Sequence, residues 1–306
     1  MHEWAVRAFL VAAFVGLMLH GAMAPAQELE PRAYSSSPVG TNFLGASYTY
    51  LTGDVLTDPS LPVTNVEAHI NTLALAYVHT FGLAGHSSSF GVVLPTVSGD
   101  LSGTVIDAPT EIHRGGMGDA RFRFAFNLIG NPAMTPEEFA RTPQVTSLGV
   151  SLTMSAPTGV YDASRLVNVG TNRWLFKPEL GISHPWGRWF LEASAGAWFF
   201  TDNHDFHGGK DRSQDPIYTA QLYGGYTFRP GMWLAGAIGY AAGGQTTVNG
   251  VADRNRQSNA RYGLTFSAPF APGWSAKVAV SNGLVTRIGG DYKSITVAVQ
   301  YRWFDK

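Results

Sequence analysis

The sequence predicts an all-β fold, a single antiparallel transmembrane β-barrel of about twelve strands with short turns at one end and longer loops at the other. Three observations predict it. Segments of about ten residues alternate apolar and polar side chains along most of the chain; the spacers between them alternate long and short; and Trp residues gather beside the short spacers. The bulk composition agrees. The 306 residues carry 35 Gly, 12% aromatics, 14% charged residues and a net charge of −1. That charge content is about half the usual share for a soluble domain. A mean hydropathy of −0.01 is too polar for a helical membrane protein. With no Cys there is no disulfide framework, thiolate metal site or cysteine nucleophile. The near-zero net charge leaves no basic field for nucleic acid.

From the N-terminus, Met1 to Arg7 carries one Lys/Arg residue, Ala8 to Leu19 is continuously apolar, and Ala24-Pro25-Ala26 supplies a small-x-small cleavage site before Gln27. Residues 1–26 read as a secretory signal peptide and residues 27–306 as one barrel domain, because the apolar run is too short to span a bilayer as a helix. Period-two alternation then places strands near 40–50, 67–81, 88–97, 117–129, 145–155, 171–184, 187–199, 216–229, 231–242, 257–268, 273–281 and 292–304. In the last of these, Ile295, Val297, Val299, Tyr301 and Trp303 point one way and Thr296, Ala298, Gln300 and Arg302 the other. Alternation alone fits a soluble sandwich equally well. The sorting of the spacers into long and short favours the barrel, and Trp186, Trp189, Trp233, Trp274 and Trp303, all beside short turns, are expected to form one interfacial girdle. One spacer, 130–144, breaks the rule. Its Thr135-Pro136-Glu137-Glu138 run is an N-cap, a first-turn Pro and a capping box, so a short helix on the periplasmic side is expected there.

Catalytic signals are weak. There is no G-x-S-x-G elbow, H-E-x-x-H or P-loop, and the one His-Ser pairing, His86 with Ser87 and Ser88, sits in an expected turn. The chain is read as no enzyme and as needing no cofactor. In the outer loop, Asp202, His204, Asp205 and His207 are weak candidates for a divalent cation. The informative polar residues are those that alternation turns inward. Arg121, Arg123, Arg173, Lys177, Arg261, Lys277 and Arg302 are the basic ones; Asp119, Glu179 and Glu192 are the acidic ones. Charges are tolerated in a wet lumen and costly against lipid. A cationic wall would favour anionic solutes, unless the charges pair with each other and merely fill the interior.

Several stretches also resemble a known family: Leu29-Glu30-Pro31-Arg32-Ala33-Tyr34-Ser35, Pro38 to Phe43, Asp58 to Pro62, Val167 to Trp174, Phe176 to Gly181, Trp198 to Asn203, and the closing Tyr301-Arg302-Trp303. They are similar to the exported proteins grouped as the MetA-pathway phenol-degradation transporter family. The resemblance implies an outer-membrane barrel with uptake of aromatic or other hydrophobic compounds. The expectation is therefore a bacterial outer-membrane channel for passive uptake of small solutes. It would contact lipid and lipopolysaccharide, and the barrel-assembly machinery would read its C-terminal strand. An alternative is a plugged structural or adhesive barrel whose outer loops bind a partner or metal; a barrel-embedded lipase is the remote one.

Overall fold

The computed structural model describes residues 29–56, 63–105 and 108–305; the expected signal peptide lies outside the described residues. Among the described residues seventeen strands form, beginning with β1 (Thr41–Leu56), β2 (Val63–Leu83), β3 (His86–Val105), β4 (Ala108–Met117), β5 (Arg121–Ile129), β6 (Ser147–Ser155), β7 (Leu175–Trp186) and β8 (Trp189–Phe200). They continue with β9 (Asn203–Phe206), β10 (Lys210–Gln214), β11 (Ile217–Arg229), β12 (Met232–Gly243), β13 (Thr246–Val248), β14 (Val251–Ala252), β15 (Gln257–Ala271), β16 (Trp274–Val285) and β17 (Gly289–Phe304). Thirteen of them make one antiparallel sheet. It closes where β1 meets β17 in continuous register from Thr41↔Phe304 to Leu56↔Gly289. Strands β4 and β5 both pair with β3, β4 with its outer part and β5 with its inner part, so they fill one position in a twelve-membered wall. Closure leaves the membrane-spanning wall without an unpaired edge, the condition for a sheet to exist in lipid.

Burial resolves what alternation left open. The polar phase is the buried one: Thr72 is 2% exposed and Thr296 7%, whereas Leu73 is 57% and Leu222 59% exposed. A soluble sandwich does the reverse. The outward Leu, Ile, Val and aromatic side chains form the belt that meets lipid.

All twelve wall positions match the expected strands to within a few residues at the inner end. Outward, β1, β2, β3, β16 and β17 run further. Strands β2 and β3 stay paired from Leu83↔His86 to Val63↔Val105. Twenty residues of strand span roughly 65 Å, about twice the hydrocarbon layer, so this hairpin projects beyond the membrane. The expected strand 117–129 is interrupted at Gly118-Asp119-Ala120. There the Asp119 carboxylate accepts from Gly159 N (2.8 Å), Thr171 N (2.9 Å) and Thr171 Oγ1 (2.6 Å), stapling the loop after β6 across the break. Asp119 is thus a loop anchor. The loops at 201–216 and 244–256 fold into hairpins that pair as a second sheet, in the order β14-β13-β10-β9.

The expected helix forms as α1 (Pro136–Arg141). Glu138 N–H donates to Thr135 Oγ1 and Thr135 N–H to Glu138 Oε2, while Phe139 is buried. The girdle needs one correction. Trp186, Trp189, Trp274 and Trp303 share the outward phase at the inner end, but Trp233 is 0% exposed and points into the barrel. Its register partner Ser267 is buried on the lumen side, and side chains at paired positions share a face.

Candidate functional site

The barrel interior is crossed by the chain's own residues 29–40. At the inner end Thr80 anchors the segment: its hydroxyl donates to Pro38 O (2.6 Å) and accepts from Thr41 N (3.0 Å). Val39 N donates to Met134 O (2.8 Å) and Ser87 Oγ to Ser37 O (3.1 Å). The chain then crosses to the opposite wall. Ser147 Oγ donates to Tyr34 O (2.7 Å), Tyr34 OH donates to Glu179 Oε1 (2.8 Å), and Ser35 Oγ donates to Glu192 Oε1 (2.8 Å). Arg32, in the left-handed region at φ 68°, donates its N–H to Glu192 Oε2 and holds its guanidinium 4.5 Å from the Phe190 ring centroid. Glu30 N donates to Tyr223 OH (3.0 Å).

Glycines on the wall make room for this segment. A Cβ at Gly181 would overlap the Tyr34 ring and one at Gly149 would stand 3.0 Å from it; at Gly239 and Gly263 it would meet Leu29 at 2.9 and 3.0 Å. Wall and segment are therefore cut to fit, and the seat is polar and charge-assisted at its centre.

Of the charges expected inward from alternation, Arg123, Arg173, Lys177, Glu192, Arg261 and Lys277 are buried, and many meet one another or the segment. Lys177 Nζ lies 2.6 Å from Glu179 Oε2, two residues along the same strand. Glu192 accepts from Ser183 Oγ (2.7 Å) as well as from Ser35 and Arg32. Arg123 donates to Ser151 Oγ (3.2 Å) and stands 5.3 Å from the Tyr34 ring. Arg173 donates to Gln214 Oε1 and lies 4.6 Å from Phe200; Arg261 donates to Tyr292 O (2.9 Å). Lys277 is buried, with Glu30 as its opposite charge. Arg121 and Arg302 are half-buried, Arg302 at the inner end 5.4 Å from Phe304. Glu30, Arg32, Tyr34 and Ser35 were not foreseen as lumen residues. The signal that pointed to them is the set of glycines in the inward phase of β6, β7, β12 and β15, which leaves a furrow that wall side chains do not fill.

Above this polar middle, the outer part of the lumen is apolar on two facing sides. Leu51, Ile70, Val97, Leu101 and Tyr292 cluster with Val169 of the loop after β6. Leu175, Trp198, Ile217 and Ala241 cluster across from them. At the inner end a cavity of about 470 Å³ opens beside the segment, bordered by Arg32, Ser35, Phe139, Ser183, Phe190 and Thr227.

Two other candidates do not assemble. His204 Nδ1 pairs with Asp211 (2.7 Å), and among the described residues no three His, Asp or Glu side chains converge, so Asp202, His204, Asp205 and His207 make no ligand set. Ser87 Oγ donates to a backbone carbonyl and the His86 ring packs on Phe126, which gives no nucleophile–base pair there.

The fold is similar to known outer-membrane barrels. An outer-membrane channel from Pseudomonas putida F1 superposes with a TM-score of 0.76 at 23% identity, over 90% of this chain and 100% of that one. The β domain of the Bordetella autotransporter BrkA superposes at 0.53 and 11% identity, over 86% and 100%. No curated protein matches the sequence. The closed wall and the lipid belt make the chain a membrane-spanning β-barrel, the fold of these outer-membrane proteins. The model of the family described as "Putative MetA-pathway of phenol degradation" matches residues 49–296, well over half of the 306, and the chain belongs to that family.

Proposed function

We propose that the chain is a passive channel for small solutes, aromatic compounds among them, whose inner mouth is narrowed by its own residues 29–40. The observation that carries this is the character of the seat. The segment crosses the lumen on hydrogen bonds to wall residues, two of them carboxylates, and a cavity of about 470 Å³ remains beside it. An interior meant only to be filled packs apolar or fully paired side chains, as small barrels do. Family membership and the likeness to an outer-membrane channel support the reading. It includes export through residues 1–26, contact with lipopolysaccharide at the outer face, and recognition of β17 by the barrel-assembly machinery.

The test is conductance in planar bilayers. The full chain is expected to give small discrete steps, and deletion of residues 29–37 to enlarge them several-fold, with β1 and its hydrogen bonds to β17 left in place. Neutralising Arg121, Arg123 and Lys177 together is expected to reduce anion preference. Membranes that stay silent with both the full chain and the deletion variant overturn the channel reading.

A further inference from the structure

Cations and rings alternate down the lumen in matched pairs. Arg173 stands 4.6 Å from the centroid of Phe200 near the outer mouth, and one step inward Lys177 stands 5.8 Å from Trp198. Leu175 pairs with Phe200 across β7 and β8, which puts the two rungs on one wall. At the inner mouth Arg32 lies 4.5 Å from Phe190 and 5.9 Å from Trp233.

A second observation is independent of the rings. Among the described residues, several buried donors on and beside these rungs have no acceptor. Arg173 Nη1, Arg123 Nη1, Trp198 Nε1 and Trp233 Nε1 are buried, in residues no more than 8% exposed, and donate to no protein oxygen. Such N–H groups call for an acceptor, and next to guanidinium groups the best acceptor is an anion. The ring faces beside them favour a flat π system.

We propose that the solute class is the planar aromatic monoanion, an arenecarboxylate, whose ring slides over Phe200, Trp198 and Phe190 while its carboxylate passes from Arg173 to Lys177 to Arg32. This rests on the channel reading above. Glu179 competes for Lys177 and the Arg32 guanidinium already donates to Thr227 Oγ1 (3.3 Å), so these rungs bind weakly enough to let the solute go, as conduction requires. A neutral hydrocarbon would desolvate the donors and satisfy none. A saturated acid would satisfy the donors and offer no ring face.

The experiment compares solutes in bilayers and liposomes holding the full chain. Reversal potentials under gradients of potassium benzoate, cyclohexanecarboxylate and chloride rank the anions, and liposome swelling ranks benzoate against neutral benzyl alcohol. Benzoate is expected to pass several-fold faster than cyclohexanecarboxylate and than benzyl alcohol. Arg173→Gln is expected to lower the benzoate-to-chloride ratio with recovery in Arg173→Lys, and Phe200→Leu to lower the benzoate-to-cyclohexanecarboxylate ratio. The heat-dependent gel shift of a folded barrel confirms each variant, and the comparison of solutes in the unaltered chain needs no variant. If cyclohexanecarboxylate or benzyl alcohol passes as readily as benzoate while chloride still conducts, the proposal falls and the channel stands. If nothing passes, even after deletion of 29–37, both fall.

Discussion

Glu192 is the residue on which the inner segment turns. It is buried on the lumen side of β8, and its two oxygens take the Arg32 N–H, Ser35 Oγ and Ser183 Oγ. A hydrogen bond to a charged acceptor is worth about 1.5–3 kcal/mol. Glu192→Gln should therefore weaken the seat by about 2 kcal/mol, roughly thirty-fold in the ratio of seated to unseated segment. The check is the fraction of time spent in the larger conductance level. Gly181→Ala should act in the same direction by another route, since its new methyl group would occupy the place of the Tyr34 ring; a barrel that folds yet shows no change in conductance would refute the fit described for that pair. The inward phase of Glu192 was legible from alternation, because side chains on a strand alternate sides without regard to distant contacts. Its partners were not. Arg32 lies 160 residues away and belongs to a stretch with no period of its own. Trp233 shows the same division: its place beside a turn was readable, while the side it faces followed from register with β15.

At the scale of elements, α1 tests how far local signals reach. The hydrogen bonds from the Thr135 backbone and hydroxyl hold the Glu138 carboxyl below the ordinary Glu value near 4.5. A depressed carboxyl contributes its stabilisation above the unfolded value and loses it as pH falls through the folded one. Opening of this turn, read by amide exchange over 136–141, is therefore expected to increase in acid. Thr135→Ala should remove most of that pH dependence and cost the helix about 1 kcal/mol. The helix was legible because cap, proline and acid all lie within one turn. The second sheet was hidden for the opposite reason: β10 and β13, which join its two hairpins, lie in different loops, and Arg212↔Val248 joins positions far apart in sequence. The break between β4 and β5 likewise needs the loop after β6 to complete it through Asp119.

Across the whole molecule, barrel and outer sheet are separable. Strands β8 and β11 pair directly from Ile217↔Trp198 inward, so the wall does not depend on the hairpin between them. Deletion of residues 202–213 is expected to leave the heat-dependent gel shift and the bilayer conductance intact. Loss of function with unchanged solute flux would instead favour a barrel that works through its outer loops. The sequence by itself determined the strand number of the wall, the two-faced alternation along its strands and the capped helix. Each of these follows from a period of two or from contacts within one turn. Only the tertiary structure decided what stands inside that wall. The seating of residues 29–40, the pairing of Glu192 with Arg32 and the inward turn of Trp233 join groups brought together by closure alone. A closed sheet sets strands that are distant in sequence around a common interior, and no local pattern records what meets there.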